Sequence, residues 1–255
     1  MEWDSPWGRG FPGWHLECST MSIKELGQEF DLHTSGIDHI PVHHTNERAQ
    51  NWGLTGKESV KYWLHSEFLL VDGGKMGKSL GNLVTLDQLK AKGFSSLALR
   101  YLVLQAHYRS KLNFTWEILA AAQRGYDKLV NEVKFFEPNG QIIAEFETQF
   151  RLVINDDLNT PKALAILQEV LKSNYSGGDK RATIVAFDKV LGLNLNQTVE
   201  VIKLSNEQEQ LVIERQQAKL AKDFVTADKL RNELLKQGVQ MIDLADNQYR
   251  LEKSQ

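Results

Sequence analysis

Along the first 72 residues, apolar positions come in short runs separated by turns rich in Gly, Pro, Trp and His. Residues 30–33 and 68–71 read as strands, whereas 21–26 and 43–52 carry helical spacing. This alternation predicts part of a parallel-sheet α/β domain. Beyond Leu86 the period lengthens to three and four residues over 97–107, 115–136, 143–154, 160–174 and 182–191, which predicts a helical bundle. Glu137-Pro138-Asn139-Gly140 and Ser176-Gly177-Gly178-Asp179 supply turns between its helices. The tail changes again: Ser205 with Gln208 forms a capping-box pattern ahead of a helix to about Ala221, and a second helix from Val225 stops before Gly238. Alternation from Val239 to Leu251 around Asp246-Asn247 then reads as a hairpin.

Composition sharpens this picture at a few points. A length of 255 residues suggests two or three compact units, and 42% apolar residues suffice to bury their cores. No window approaches the roughly 18 apolar residues of a membrane span. The opening residues lack the basic start and apolar run of a secretory signal, so a cytoplasmic protein is expected. The single cysteine, Cys18, excludes an internal disulfide framework. The net charge of −3 hides an uneven distribution. Between Lys75 and Lys111 seven basic residues face one acid, Asp87, leaving the rest of the chain at −9. A local basic surface of this kind suits a polyanion such as ATP or RNA, or is simply a set of solvated helix faces.

Five of the seven histidines, His15, His33, His39, His43 and His44, fall within the first 44 residues, with Cys18 among them. His43 and Glu47 are four apart, so on a helix an imidazole and a carboxylate share one face. Together with Cys18 they make a sulfur, nitrogen and oxygen set that suits zinc. Read without context, such a pair is more often a hydrogen-bonded i,i+4 contact and such a cysteine a buried small hydrophobe. Downstream, Lys75-Met76-Gly77-Lys78-Ser79 follows a strand and the polar turn Asp72-Gly73-Gly74, placing two ammonium groups on a loop that could clamp phosphate charge.

These stretches carry a resemblance. Residues 13–21, followed 25 residues after Cys18 by His43-His44-Thr45-Asn46-Glu47, closely resemble the corresponding parts of the cysteinyl-tRNA synthetases. So do Lys75–Ser79 with Leu80-Gly81-Asn82 after them, residues 106–114, 155–161 and 218–231, so the resemblance covers essentially the whole chain. It implies a class I aminoacyl-tRNA synthetase. The fold it implies is an α/β remnant of a Rossmann-like nucleotide-binding domain, then a mainly helical bundle and a small helix-plus-hairpin C-terminal domain. Its expected divisions are 1–72, the zinc-bearing C-terminal half of the catalytic domain; 73–114, the lysine loop and connecting helices; 115–197, a bundle that binds tRNA; and 198–255, an anticodon-recognition domain.

The resemblance also implies roles. Cys18, His43 and Glu47 would hold zinc, with a fourth ligand, a cysteine, coming in the family from a segment ahead of this region. Trp14, His15 and His44 would face the cysteine substrate; Gly36 and Asp38 would contact ribose or the substrate amino group. Lys78 would bind ATP with Lys75 as its helper, both catalytic. The implied partners are cysteine, ATP with magnesium, and tRNA(Cys), for a monomer without a membrane. Departures from the family pattern are Gly77 where serine is usual, Thr34 and Ser35 where glycines are usual, and Pro41-Val42 before the paired histidines.

No His-x-Gly-His signature of class I enzymes occurs among the 255 residues. The chain is therefore expected to be the C-terminal part of such an enzyme, acting with a separate or attached N-terminal catalytic half. Two other readings remain: a cysteine–amino-sugar ligase of thiol-cofactor synthesis, disfavoured by the tail from Ser205, and a non-catalytic tRNA-binding fragment. That tail has eight basic and nine acidic residues, so RNA binding there is implied by resemblance rather than by charge.

Overall fold

The computed structural model describes residues 2–197, 204–243 and 249–253. The chain divides into two compact units, Met1–Asn196 and Gln197–Gln255. Among the described residues no helix is long and apolar enough to cross a membrane.

The first unit opens with a hairpin of β1 (Trp3–Ser5) and β2 (Gly8–Gly10), turned through Pro6 and Trp7 into Gly8 with φ 106°. Helix α1 (Trp14–Leu26) follows, so the helical spacing seen over 21–26 is the end of a longer element. Strand β3 (Phe30–Gly36) leads through a short 3-10 turn, Ile37–His39, and a wider π turn, Ile40–His44, into helix α2 (Thr45–Thr55). The helix expected from His43 thus begins two residues later, because the chain is still in the π turn at the paired histidines. π turns recur at functional sites. Strand β4 (Val60–Ser66) returns parallel to β3, pairing His33 with Trp63 and Ser35 with His65. This is a βαβ unit in which α1 packs against α2.

A second small sheet carries the lysine loop. Strand β5 (Leu69–Val71) forms a hairpin with β6 (Gly74–Lys75) through Asp72 and Gly73. Both turn residues have positive φ, 50° and 77°, the backbone that an Asp-Gly hairpin turn requires. Strand β7 (Leu112–Phe114) lies parallel to β5 on its other side.

The bundle comprises α3 (Leu86–Ala91), α4 (Ser96–Leu104), α5 (Trp116–Val133), α6 (Ala144–Asn155), α7 (Thr160–Lys172) and α8 (Gly177–Leu191). Its core is continuous and includes Leu119, Val133, Leu167, Ile184 and Leu191, all fully buried. Burial of each such side chain contributes about 1.5–3 kcal/mol. Helix α8 closes on Gly192 with φ 63°, where a Cβ would come within 3.0 Å of the Arg100 guanidinium that donates to the Leu191 carbonyl. Buried Arg181 reaches the Val133 carbonyl at the end of α5, satisfying one of the acceptors that a helix terminus leaves open. The helix expected over 97–107 stops at Leu104. Its last residues form instead a loop in which Tyr108 and Arg109 bind Asp157 of the α6–α7 turn.

The second unit contains α9 (Asn206–Leu220), α10 (Phe224–Lys236), β8 (Val239–Asp243) and β9 (Tyr249–Lys253), the two strands antiparallel. The Ser205–Gln208 capping box forms in full. Its core is Val212, Leu234, Val239 and Met241. Asp246-Asn247, the expected hairpin turn, lies outside the described residues.

Candidate active site

Cys18, His43 and Glu47 converge. Cys18 sits one turn into α1, His43 ends the π turn and Glu47 lies in the first turn of α2. One donor atom from each lies within 4.8 Å of the others. His43 and Glu47 are buried, at 5% and 1% exposure. Glu47 Oε1 lies 2.8 Å from His43 Nε2 yet takes no hydrogen bond, so the contact is a close approach out of line for donation. Burial without a counter-charge pushes the Glu47 carboxyl up to about 7. Burial, then the neighbouring histidines, push His43 down, which keeps the imidazole neutral and able to ligate. Burial, then the Glu47 carboxylate, push the Cys18 thiol up. A buried carboxylate oxygen without a partner, a neutral imidazole and a thiol form a set that fits a divalent, borderline-soft cation.

Around this trio stands a basin of rings. His15 Nδ1 is 2.9 Å from His43 Nδ1, and His33 Nε2 is 3.1 Å from Glu47 Oε2. His44 is buried and its Nδ1 is 2.8 Å from His65 Nε2; burial, then its imidazole neighbours, lower it to about 4. Trp14 is more than half exposed, its ring 4.3 Å from His43 and edge-on to His39 at 5.3 Å. His39 also contacts the Ser35 hydroxyl. Gly36 precedes Asp38 closely: a Cβ there would fall 2.5 Å from Asp38 Oδ1.

Lys75 and Lys78 lie on the other small sheet, on a loop organised by one side chain. Asn82 Oδ1 accepts from the Gly77 amide at 2.9 Å and its Nδ2 donates to the Lys75 carbonyl at 2.9 Å. The loop turns through a short 3-10 segment, Lys78–Leu80, and closes on Gly81 with φ 66°. Both lysine side chains are exposed.

Residues 1–124 match the family model described as the tRNA synthetases class I (C) catalytic domain. The chain is 45% identical over 250 residues to cysteine–tRNA ligase 1 of Burkholderia lata, covering 97% of this chain and 53% of that protein. It is 46% identical over 254 residues to the cysteine–tRNA ligase of Opitutus terrae, covering 98% and 54%. The chain belongs to the cysteinyl-tRNA synthetase family. It spans about half the length of the curated relatives it matches. In fold it is similar to the leucyl enzyme in the LeuRS–tRNA–LeuAMS ternary complex of Agrobacterium radiobacter K84, with a TM-score of 0.51 and 15% identity over 76% of this chain and 32% of that one. The fold is thus mixed α/β with a class I synthetase as a structural neighbour.

Within this family member, the structure brings Cys18, His43, Glu47, His15, His33, His44 and Trp14 into one basin, and holds Lys75 and Lys78 on a separate element. Three contributors escape a reading of the sequence: His65 and Trp63 on β4, and Asn82 as the brace of the lysine loop. For the first two the signal is the run Val60-Lys61-Tyr62-Trp63-Leu64, β-branched and aromatic, with a histidine at its end.

Proposed function

We propose that this chain serves cysteine–tRNA ligase chemistry: ATP-dependent activation of cysteine to cysteinyl-adenylate and transfer to tRNA(Cys). The observation that carries this reading is the convergence of Cys18, His43 and Glu47 around an unpartnered buried carboxylate oxygen. Zinc bound by these three residues would supply a direct bond to a substrate thiolate, a contact that serine or alanine cannot reproduce and that packing alone could not match. Trp14, at the rim, covers the apolar part of the substrate, with His15 and His44 beneath it. Lys78 and Lys75 hold the phosphates of magnesium-bound ATP as charge develops on departing pyrophosphate. Gly36 leaves room for the Asp38 carboxylate to fold back over the strand end, where it meets ribose or the substrate amino group.

We read 1–72 as the zinc-bearing part of the catalytic domain, 73–114 as the lysine loop and its connections, 115–197 as the tRNA-binding bundle and 198–255 as the anticodon-reading domain of a monomeric cytoplasmic enzyme. The boundary between the two compact units, after Asn196, supports the last of these divisions. Because the 255 residues contain no His-x-Gly-His signature, exchange is expected only when a polypeptide bearing it is supplied, in cis or as a partner. The test is cysteine-dependent exchange between pyrophosphate and ATP. Expected are activity with both parts present, none with serine as substrate, and a fall of about 100-fold or more in Lys78→Ala, the scale of one lost electrostatic clamp. Exchange by the 255 residues alone would overturn the requirement; none with both parts would overturn the function.

A further inference from the structure

The two buried ligands of the trio each have a second polar atom, and both of those atoms are engaged by histidines outside the trio. His43 turns Nε2 toward Glu47 Oε1 at 2.8 Å and Nδ1 toward His15 Nδ1 at 2.9 Å. Glu47 turns Oε1 into the trio without a hydrogen bond and Oε2 toward His33 Nε2 at 3.1 Å. We propose that His15 and His33 are positioning residues for the metal centre, each holding one ligand by the atom that the metal does not use. This rests on the zinc reading of Cys18, His43 and Glu47.

The chemistry at each contact is specific. A ligating imidazole is fixed in tautomer and orientation when its other N–H is bound. With His43 Nδ1–H donating to the lone pair on His15 Nδ1, the lone pair of His43 Nε2 is left facing Glu47 and Cys18. His33 Nε2, 3.1 Å from Glu47 Oε2, crowds one oxygen of the carboxylate and leaves the other alone to face the trio. The scaffold of each prop is independent. His15 lies three residues before Cys18 on α1, so the helix that presents the sulfur presents on the same face the ring that orients His43. His33 comes from the middle of β3, edge-on to Trp63 at 4.9 Å and to Phe30 at 5.9 Å, which leaves its ring little freedom to turn.

His33, His44 and Glu47 also have donor atoms within 4.8 Å of one another. A second cation there would have to share the single carboxylate with the first. The positioning role is therefore favoured, and a second cation becomes an outcome of the test.

Zinc binding to the 255-residue chain, measured by competition with a chromophoric chelator, separates these possibilities, with the absorption bands of the cobalt(II)-substituted protein as a second readout. The wild type is expected to take one zinc and Cys18→Ala to lose it. His15→Phe and His33→Phe, which keep a ring of similar size without its nitrogens, are expected to weaken zinc about 10–100-fold, the usual cost of an outer-shell partner, and to shift the cobalt bands. His33→Gln, which restores a donor, and His15→Gln, which restores an acceptor, are expected to recover part of that loss, which a merely steric role would not produce. A wild type that takes no zinc overturns the metal reading itself. One zinc in the wild type with the Phe variants within twofold of it overturns the positioning role alone, and a second zinc lost in His33→Phe would make His33 a ligand instead.

Discussion

Gly77 has φ −166° and ψ 148°, extended backbone that any residue adopts. A Cβ built there meets nothing closer than Leu80 at 3.8 Å and the Ser79 hydroxyl at 3.9 Å. Glycine at this point of the lysine loop is thus a choice of looseness rather than of geometry. Gly77→Ser should leave the folded loop as it is and restrict the unfolded chain, raising stability by up to about 0.5 kcal/mol, a shift read in a thermal melt; a lower Tm would count against the extended conformation. Gly36 is the opposite case. Its backbone, φ −77° and ψ 157°, is unstrained, but an added Cβ lands 2.5 Å from Asp38 Oδ1. Gly36→Ala should keep the fold, because only a carboxylate tip must move. It should weaken nucleotide or cysteine binding about tenfold by displacing one charged hydrogen-bonding group. Calorimetric titration with unchanged affinity would remove Asp38 from the site.

Between elements, Phe150 from α6 stacks parallel on Phe187 from α8, with ring centroids 4.0 Å apart and an interplanar angle of 7°. Phe187 is 1% exposed. Phe187→Ala should cost about 3–5 kcal/mol in urea unfolding, since the void it leaves is walled by helices that cannot collapse freely. This contact also marks how far the sequence could be read. Helices α5 to α8 were legible because their apolar stripes repeat at helical spacing, and Ser205 with Gln208 announced α9 through a local hydrogen-bond pattern. The pair of His43 and Glu47 was legible for the same reason, as a helical i,i+4 spacing. What could not be read are contacts whose partners are distant in the chain: His33 reaching Glu47 across the βαβ unit, His65 against His44, and the Arg109–Asp157 latch that ends α4 early. The π turn at Ile40–His44 was hidden too, because its backbone leaves the apolar pattern almost unchanged.

At the scale of the molecule, the two units have separate cores, and one ion pair dominates the smaller. Arg215, 2% exposed, makes two 2.6 Å hydrogen bonds to the two oxygens of Asp243, and Lys219 adds a third contact at 2.8 Å. The Arg215 guanidinium, ahead of Lys219, holds the Asp243 carboxyl far below the usual carboxylate range. A carboxyl depressed on folding stabilises the protein fully above its unfolded value, near 3.9, and loses that contribution as pH falls through the folded one. Acid should therefore loosen this unit only below about pH 4. Asp243→Ala removes the same support at neutral pH and strands a buried guanidinium, at a cost of roughly 1–3 kcal/mol. All six tryptophans, Trp3, Trp7, Trp14, Trp52, Trp63 and Trp116, belong to the first unit. In thermal unfolding of Asp243→Ala, part of the helical circular dichroism should be lost at lower temperature while the tryptophan fluorescence transition stays in place. Were both signals to shift together, the units would share one cooperative transition, and Asp243 would be supporting the whole chain rather than its C-terminal part.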